Sequence, residues 1–157
     1  YYTENEISEL LKRSTKILGI HADDASIREL AKRSRAPPRP ANYLLKRARD
    51  VSEVSGEPLN VKTVKKALAL LEIDEIGLNQ TDRDLLTVLI EKFNGGPVGL
   101  KTLAAALSEE EATLEEVNEP YLMQLGLLER TPRGRMVTEK GHQHLGFEIP
   151  KKPTLGI

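Results

Sequence analysis

Only one place in the sequence carries a strong signal for paired strands. Two short apolar runs, Leu127-Leu128 and Met136-Val137, flank Thr131-Pro132-Arg133-Gly134, a set of residues that favours a tight turn. Apolar runs on either side of such a turn predict a β-hairpin between Gly126 and Thr138. Arg130, Arg133 and Arg135 fall on or beside its tip. A guanidinium is planar, permanently charged and matched in shape to phosphate oxygens. A hairpin carrying three of them is therefore a candidate wing that lays its arginines against a nucleic-acid backbone. A solvated hairpin tip is the competing reading of the same residues.

Everything before Leu71 reads as helix. Thr3-Glu-Asn-Glu6 has the spacing of a capping box, after which Ile7, Leu10, Leu11, Ile17 and Leu18 recur at helical spacing and Gly19 supplies a stop. A second helix is expected from Asp23 or Asp24, burying Ile27, Leu30 and Ala31. A third runs from Ala41 to about Ser55, with Pro40 in its first turn and Leu44, Leu45, Ala48, Val51 and Val54 inward. Asn60 caps a fourth, which turns Val64, Ala67, Leu68 and Leu71 to one side. The periodicity fails over Ile73–Asn79, a polar stretch where a domain boundary is placed. The chain is thus divided into 1–75, a small helical bundle, and 76–157.

The second part has another order of elements. Asn79 or Thr81 caps a helix carrying Leu85, Leu86, Leu89, Ile90 and Phe93. Pro97-Val98 allows only a very short strand, and Leu100 to Leu107 forms an alanine-rich helix that Ser108 ends. Thr113-Leu-Glu-Glu116 has capping-box spacing and opens a helix through Leu125, which Pro120 should bend or break. The hairpin follows. Helix, short strand, helix, turn, helix, hairpin is the order of a winged helix. The fold class is therefore mainly α, with one small β-hairpin wing.

Charge decides which contacts such a domain can make. The 157 residues are 30% charged, yet the net charge is only −1, so the distribution carries the information. Between Ser108 and Gln124 lie Glu109, Glu110, Glu111, Glu115, Glu116 and Glu119, with no Lys or Arg. A helix of that composition would be repelled by the major groove and has no Arg, Lys or Gln near its N-terminus to read bases. Any DNA contact in this domain then falls to the wing, and backbone contact without sequence selectivity is expected. The opposite bias lies in Arg28–Arg49, where eight basic residues face Glu29 alone. Most of that is an ordinary solvated surface. The residue to isolate is Arg39, inside the proline-stiffened Pro37-Pro38-Arg39-Pro40 turn at a helix start, where a phosphate could be held.

Several chemistries are excluded. There is no cysteine, so neither disulfides nor thiolate metal sites are available. His21, His142 and His144 have no third ligand in metal-site spacing, and no metal is expected. Gly95-Gly-Pro-Val-Gly-Leu-Lys-Thr102 superficially suggests a phosphate-binding loop, but Leu100 stands where that loop needs Gly, and the stretch follows a helix. A tight turn explains it better. Aromatics are only 4% of the chain, too few for a single-strand stacking platform. No apolar run approaches the ~20 residues of a membrane span, and no signal-peptide pattern opens the chain.

Four longer stretches add a resemblance. Arg35-Ala-Pro-Pro-Arg-Pro-Ala-Asn-Tyr-Leu-Leu-Lys-Arg47, Gly95-Gly-Pro-Val-Gly-Leu-Lys-Thr-Leu-Ala-Ala-Ala-Leu107, Glu119-Pro-Tyr-Leu122 and Arg130-Thr-Pro-Arg-Gly-Arg135 resemble, in order, the RuvB family. These are bacterial AAA+ motors that drive branch migration of Holliday junctions. The resemblance implies a helical AAA+ lid followed by a winged helix, the last two domains of a cytoplasmic, hexameric ATPase. It implies that Arg39 is the sensor arginine that reaches nucleotide phosphates, with Pro38 beside it and Tyr2 near the adenine. It implies that Arg130, Arg133 and Arg135 contact duplex DNA. In the parent protein ATP or ADP with Mg would be the cofactor, and RuvA, RuvC and Holliday junctions the partners. The P-loop and its companions would lie upstream of Tyr1, so the chain alone should neither hydrolyse ATP nor hold nucleotide stably. The family usually has Gly-Thr before Pro-Arg and Ile-Ala-Asn-Arg after it, where this chain has Ala36-Pro37, Pro40 and Tyr43. Other AAA+ DNA proteins of the same two-domain plan, such as replication initiators or clamp loaders, are the nearest alternative. A non-enzymatic winged-helix regulator is the more distant one.

Overall fold

The structure, a computed structural model, describes residues 2–34 and 38–151, and for residues 38 and 39 the backbone alone. The chain divides into two compact units, Tyr1–Gln80 and Thr81–Ile157.

The first unit is a bundle of α1 (Glu4–Leu18), α2 (Asp24–Arg33), α3 (Pro38–Ser55) and α4 (Val61–Leu70). Local chemistry fixes most of the helix ends. The Thr3 amide donates to Glu6 Oε2 (2.7 Å) while the Glu6 amide donates to Thr3 Oγ1 (3.2 Å), a reciprocal capping box. Gly19, at φ 66°, closes α1 in the left-handed conformation. Asp23 caps α2 by accepting from the Ser26 amide at 2.8 Å. Asn60 and Thr63 form a second reciprocal box at the start of α4. The core between the helices is Ile7 and Leu11, Ile27, Leu30 and Ala31, Ala41, Leu44, Leu45 and Ala48, Leu59, and Val64, Ala67 and Leu68.

Three features of this unit depart from the sequence expectations. The third helix begins at Pro38, three residues before Ala41. Both prolines fit because the first-turn amides have no acceptor within the helix, so a missing N–H there costs nothing. Ile17 and Val54 point outward, at 83% and 90% exposure. At about 100° per residue, Ile17 lies roughly 120° from the middle of the face set by Ile7, Leu11 and Thr15, and Val54 roughly 150° from that of Ala41, Leu45 and Ala48. Apolar identity without the right phase does not bury a residue. Finally, Ile73–Asn79 is an ordered turn. Asp74 Oδ1 accepts from the Ile76 (3.1 Å) and Leu78 (2.9 Å) amides, and Leu78 is fully buried.

The second unit contains α5 (Gln80–Phe93), α6 (Leu100–Leu107), α7 (Glu111–Thr113), a π-helical turn over Leu114–Asn118, α8 (Glu119–Gln124), β1 (Leu128–Thr131), β2 (Gly134–Val137) and α9 (Glu139–His144). Its core is Leu85, Leu86, Leu89, Val98, Leu103, Ala104, Leu114, Tyr121, Leu122, Leu127, Leu128 and Val137. Ser108, at φ 53°, ends α6. The capping box expected at Thr113 does not form: the helix starts at Glu111, and Thr113 is already in right-handed helical conformation without a side-chain cap bond. A Thr three residues before a Glu occurs inside helices as readily as at their starts. Pro120 has the expected effect in a particular form. It has no N–H for the Glu116 carbonyl, and the turn before it widens, with the Glu119 amide donating five residues back to Leu114.

Asp23 offers a direct check of the capping account. Its carboxyl is held below the usual aspartate value of 3.8 by the hydrogen bonds from Ser26. Its contribution is therefore complete above that value and is lost as pH falls through the lowered one. Asp23→Ala should cost about 1 kcal/mol in urea unfolding at pH 7, and the difference from the native chain should shrink towards zero in strong acid.

Candidate nucleic-acid interface

The hairpin pairs Leu128 with Val137, Glu129 with Met136, Arg130 with Arg135 and Thr131 with Gly134. Pro132 and Arg133 alone form the turn. Gly134 is required twice there: its φ of 135° disfavours a side chain, and a Cβ would overlap the Val98 carbonyl. Val98 supplies the short third edge, its amide donating to Arg135 O (3.0 Å) and its carbonyl accepting from the Arg135 amide (2.7 Å). The apparent phosphate loop is thus explained by packing. Gly96 passes so close to β2 that a Cβ would overlap the Arg135 carbonyl, and Gly95 O accepts from the Val137 amide (2.9 Å).

Because the Arg135 amide and carbonyl both face Val98, Arg130 and Arg135 form a non-hydrogen-bonded cross-strand pair, the kind in which side chains come closest. Two like charges in that position repel each other. Between them stands Glu119, the first residue of α8, which is fully buried. Arg130 Nη2 donates to Glu119 Oε2 at 2.5 Å; Arg135 donates through Nε to Oε1 and through Nη2 to Oε2 at 3.4 Å. The Arg135 side chain is 14% exposed and that of Arg130 45%. The hydrogen bond to Glu119, then the charges of Glu119 and Glu115, hold the Arg130 pKa above the ordinary arginine value. Next to Glu119, Asn118 is also buried and donates through Nδ2 to Asp82 Oδ1 of α5 at 2.7 Å.

The three arginines of the wing are therefore not equivalent. Arg133, in the turn, is exposed, and its side chain makes no hydrogen bond or ion pair with any described residue. Arg130 is tethered but half open. Arg135 is largely enclosed as a strut between β2 and α8. Glu119, counted in the sequence among six groove-facing carboxylates, faces inward; Glu109, Glu110, Glu111, Glu115 and Glu116 remain exposed. Sequence parity carried a signal for this. Arg130 lies two residues from Leu128 and Arg135 two from Val137, so both share the strand face of buried neighbours. A buried face with two guanidinium groups needs an acid nearby.

The remaining sequence-marked residues fall elsewhere. His142 is buried beneath Gly95, and its Nδ1 donates to the Thr138 carbonyl at 2.9 Å, a structural role. Tyr2 is 49% exposed just before α1. Pro38 and Arg39 lie in the first turn of α3, and their side chains, with residues 35–37, fall outside the described residues. In the first turn of α3, Pro38 and Pro40 have no N–H to offer. A phosphate at this end of α3 would thus have to be held by the Arg39 guanidinium, with little help from backbone amides. Among the described residues no helix is long and apolar enough to cross a membrane.

Comparison with known proteins agrees with this architecture. Residues 2–74 match the RuvB AAA lid domain and residues 75–146 the RuvB C-terminal winged helix domain. Holliday junction branch migration complex subunits RuvB are similar over nearly the whole chain. That of Chloroflexus aurantiacus is 47% identical over 97% of this chain and 44% of its own length. That of Ligilactobacillus salivarius is 49% identical over 97% and 46%, and that of Lacticaseibacillus casei 51% over 94% and 44%. The solved Thermotoga maritima RuvB Holliday junction branch migration motor superposes with a TM-score of 0.92 at 47% identity, covering 96% of this chain and 51% of that one. The chain thus spans less than half the length of these curated relatives. The two matched RuvB domain models together span residues 2–146: the chain belongs to the RuvB family, of which it carries the AAA lid and the C-terminal winged-helix domain.

Proposed function

We propose that this chain is the nucleotide-sensing and DNA-gripping part of an ATP-dependent motor that drives Holliday junction branch migration in recombination and repair. The observation that carries the reading is the open guanidinium of Arg133, at the tip of a hairpin within a RuvB-type winged helix. In this reading Arg133 and the open side of Arg130 contact phosphates of duplex DNA, and Arg135 supports them from behind. Contact of that kind neutralises charge without reading bases, as suits a motor that must pass every sequence. The five exposed carboxylates of the preceding helical segment argue against a sequence-reading regulator, because they would face the groove.

The lid has the other role. Arg39 reaches the phosphates of a nucleotide held by the ATPase domain, and Tyr2 lies near its base. When bound, ATP with Mg supplies the energy of phosphoryl transfer; this chain's residues bind and orient. Loss of the γ-phosphate removes a partner of Arg39, which changes the lid's preferred position and carries the winged helix with it. The full protein assembles as a homohexamer around DNA, working with RuvA and RuvC. One Arg133 per subunit becomes sufficient in a ring because six weak grips act together.

Two substitutions in the full-length protein test the two halves. Arg133→Ala should weaken duplex binding and reduce the slope of log affinity against log salt by about 0.9 for each phosphate it no longer neutralises; an unchanged slope would remove the wing from the interface. Arg39→Ala should lower ATP turnover roughly ten-fold or more, the effect of losing a charge-assisted hydrogen bond. Normal turnover would exclude the sensing role.

A further inference from the structure

We infer that Glu119 is a positioning residue for DNA binding: its buried carboxylate aims Arg130 at the phosphate backbone. The inference rests on the wing reading above. It starts from the contradiction that a negative charge stands at the centre of a surface meant for a polyanion. Glu119 is fully buried, so its charge is not presented to DNA. Arg135 occupies both of its oxygens and is itself 14% exposed, which makes a fixed base. Arg130 uses one Nη2 donor on Oε2 and keeps its other N–H groups, with the side chain 45% exposed. Arg130 is thus held at one corner of its fork and open at the rest.

Without Glu119, two guanidinium groups would share a close cross-strand position and repel each other. Arg130 would then swing away and lose its direction. An arginine searching many rotamers binds phosphate less well than one already oriented, because the ordering cost falls on the binding step. Arg133 does not depend on this device, since it sits in the turn beyond the pair. The wing therefore combines an untethered arginine at its tip with an aimed one on its strand.

The charge balance makes the test decisive. Glu119→Gln adds one positive charge to the wing, so electrostatics alone predicts tighter duplex binding and a steeper salt slope. Positioning predicts the reverse: affinity roughly ten-fold weaker, the effect of removing one charge-assisted hydrogen bond, and a slope reduced by about 0.9. The measurement is duplex DNA titration of the full-length protein over a range of salt. In an Arg130→Ala background, Glu119→Gln should have no further effect on the slope. A purely structural role would lower the folded fraction and leave the slope of the folded molecules unchanged, which would overturn the inference, as would tighter binding. Glu119→Asp, which keeps the charge but is one methylene too short to meet both arginines, should also reduce the slope by about 0.9. It is the variant to read if Glu119→Gln does not fold, and a native slope in it would equally reject the inference. Should Arg133→Ala and Arg130→Ala both leave binding unchanged, the wing reading itself fails; if they weaken binding while the Glu119 variants do not, only the positioning role fails.

Discussion

A single carboxylate ties the second unit's hairpin to the helix before it. Glu119 joins α8 to both strands of the hairpin by accepting from Arg130 and Arg135 at once. Burying an ion pair gains little over a well-packed apolar contact, because desolvation offsets most of the attraction. What it adds is specificity of arrangement. A hairpin of two four-residue strands has almost no independent stability. This one is anchored at its base by Leu128 and Val137, along one edge by Val98, and midway by the carboxylate. Only the turn, with Arg133, projects beyond these supports.

The first unit is fixed differently. Its helices begin at side-chain caps, Thr3 with Glu6, Asp23, and Asn60 with Thr63, and close on an aliphatic core. The exception is α3, whose start is set by prolines. Those residues leave its first turn poor in backbone donors. The two units thus carry their marked arginines on different supports: Arg39 on a helix start, the other three on a ribbon.

Most local structure is legible in the sequence because its causes are local. Capping pairs three residues apart, Gly19 after an apolar run and the Thr-Pro-Arg-Gly turn announce themselves within a few positions. Ile17 and Val54 are misplaced when apolar character is weighed without the phase of the helix. Thr113 misleads because its spacing to Glu116 is equally compatible with a helix interior. Glu119 escapes for a different reason. Its partners are 11 and 16 residues away, across a helix and a strand, so charge counting treats it as surface. The difference in exposure and pairing among the three wing arginines follows from that one contact and could not be drawn without it. The resemblance to RuvB motifs identifies the arginines together but says nothing of their inequality.

The π-turn before Glu119 has a consequence for chain length. Asn118 and Glu119 are adjacent, yet both point inward, one to Asp82 and the other to the arginines. Neighbouring residues of a regular helix diverge by about 100°, so the phase of this segment decides which partner each of the two can reach. The wider turn over Leu114–Asn118, in which the Glu119 amide reaches back five residues to Leu114, sets that phase. Removing a single residue there would restore regular geometry and rotate everything after it by about 100°, taking the carboxylate away from the ribbon. In this segment the number of residues is as binding a constraint as their identity.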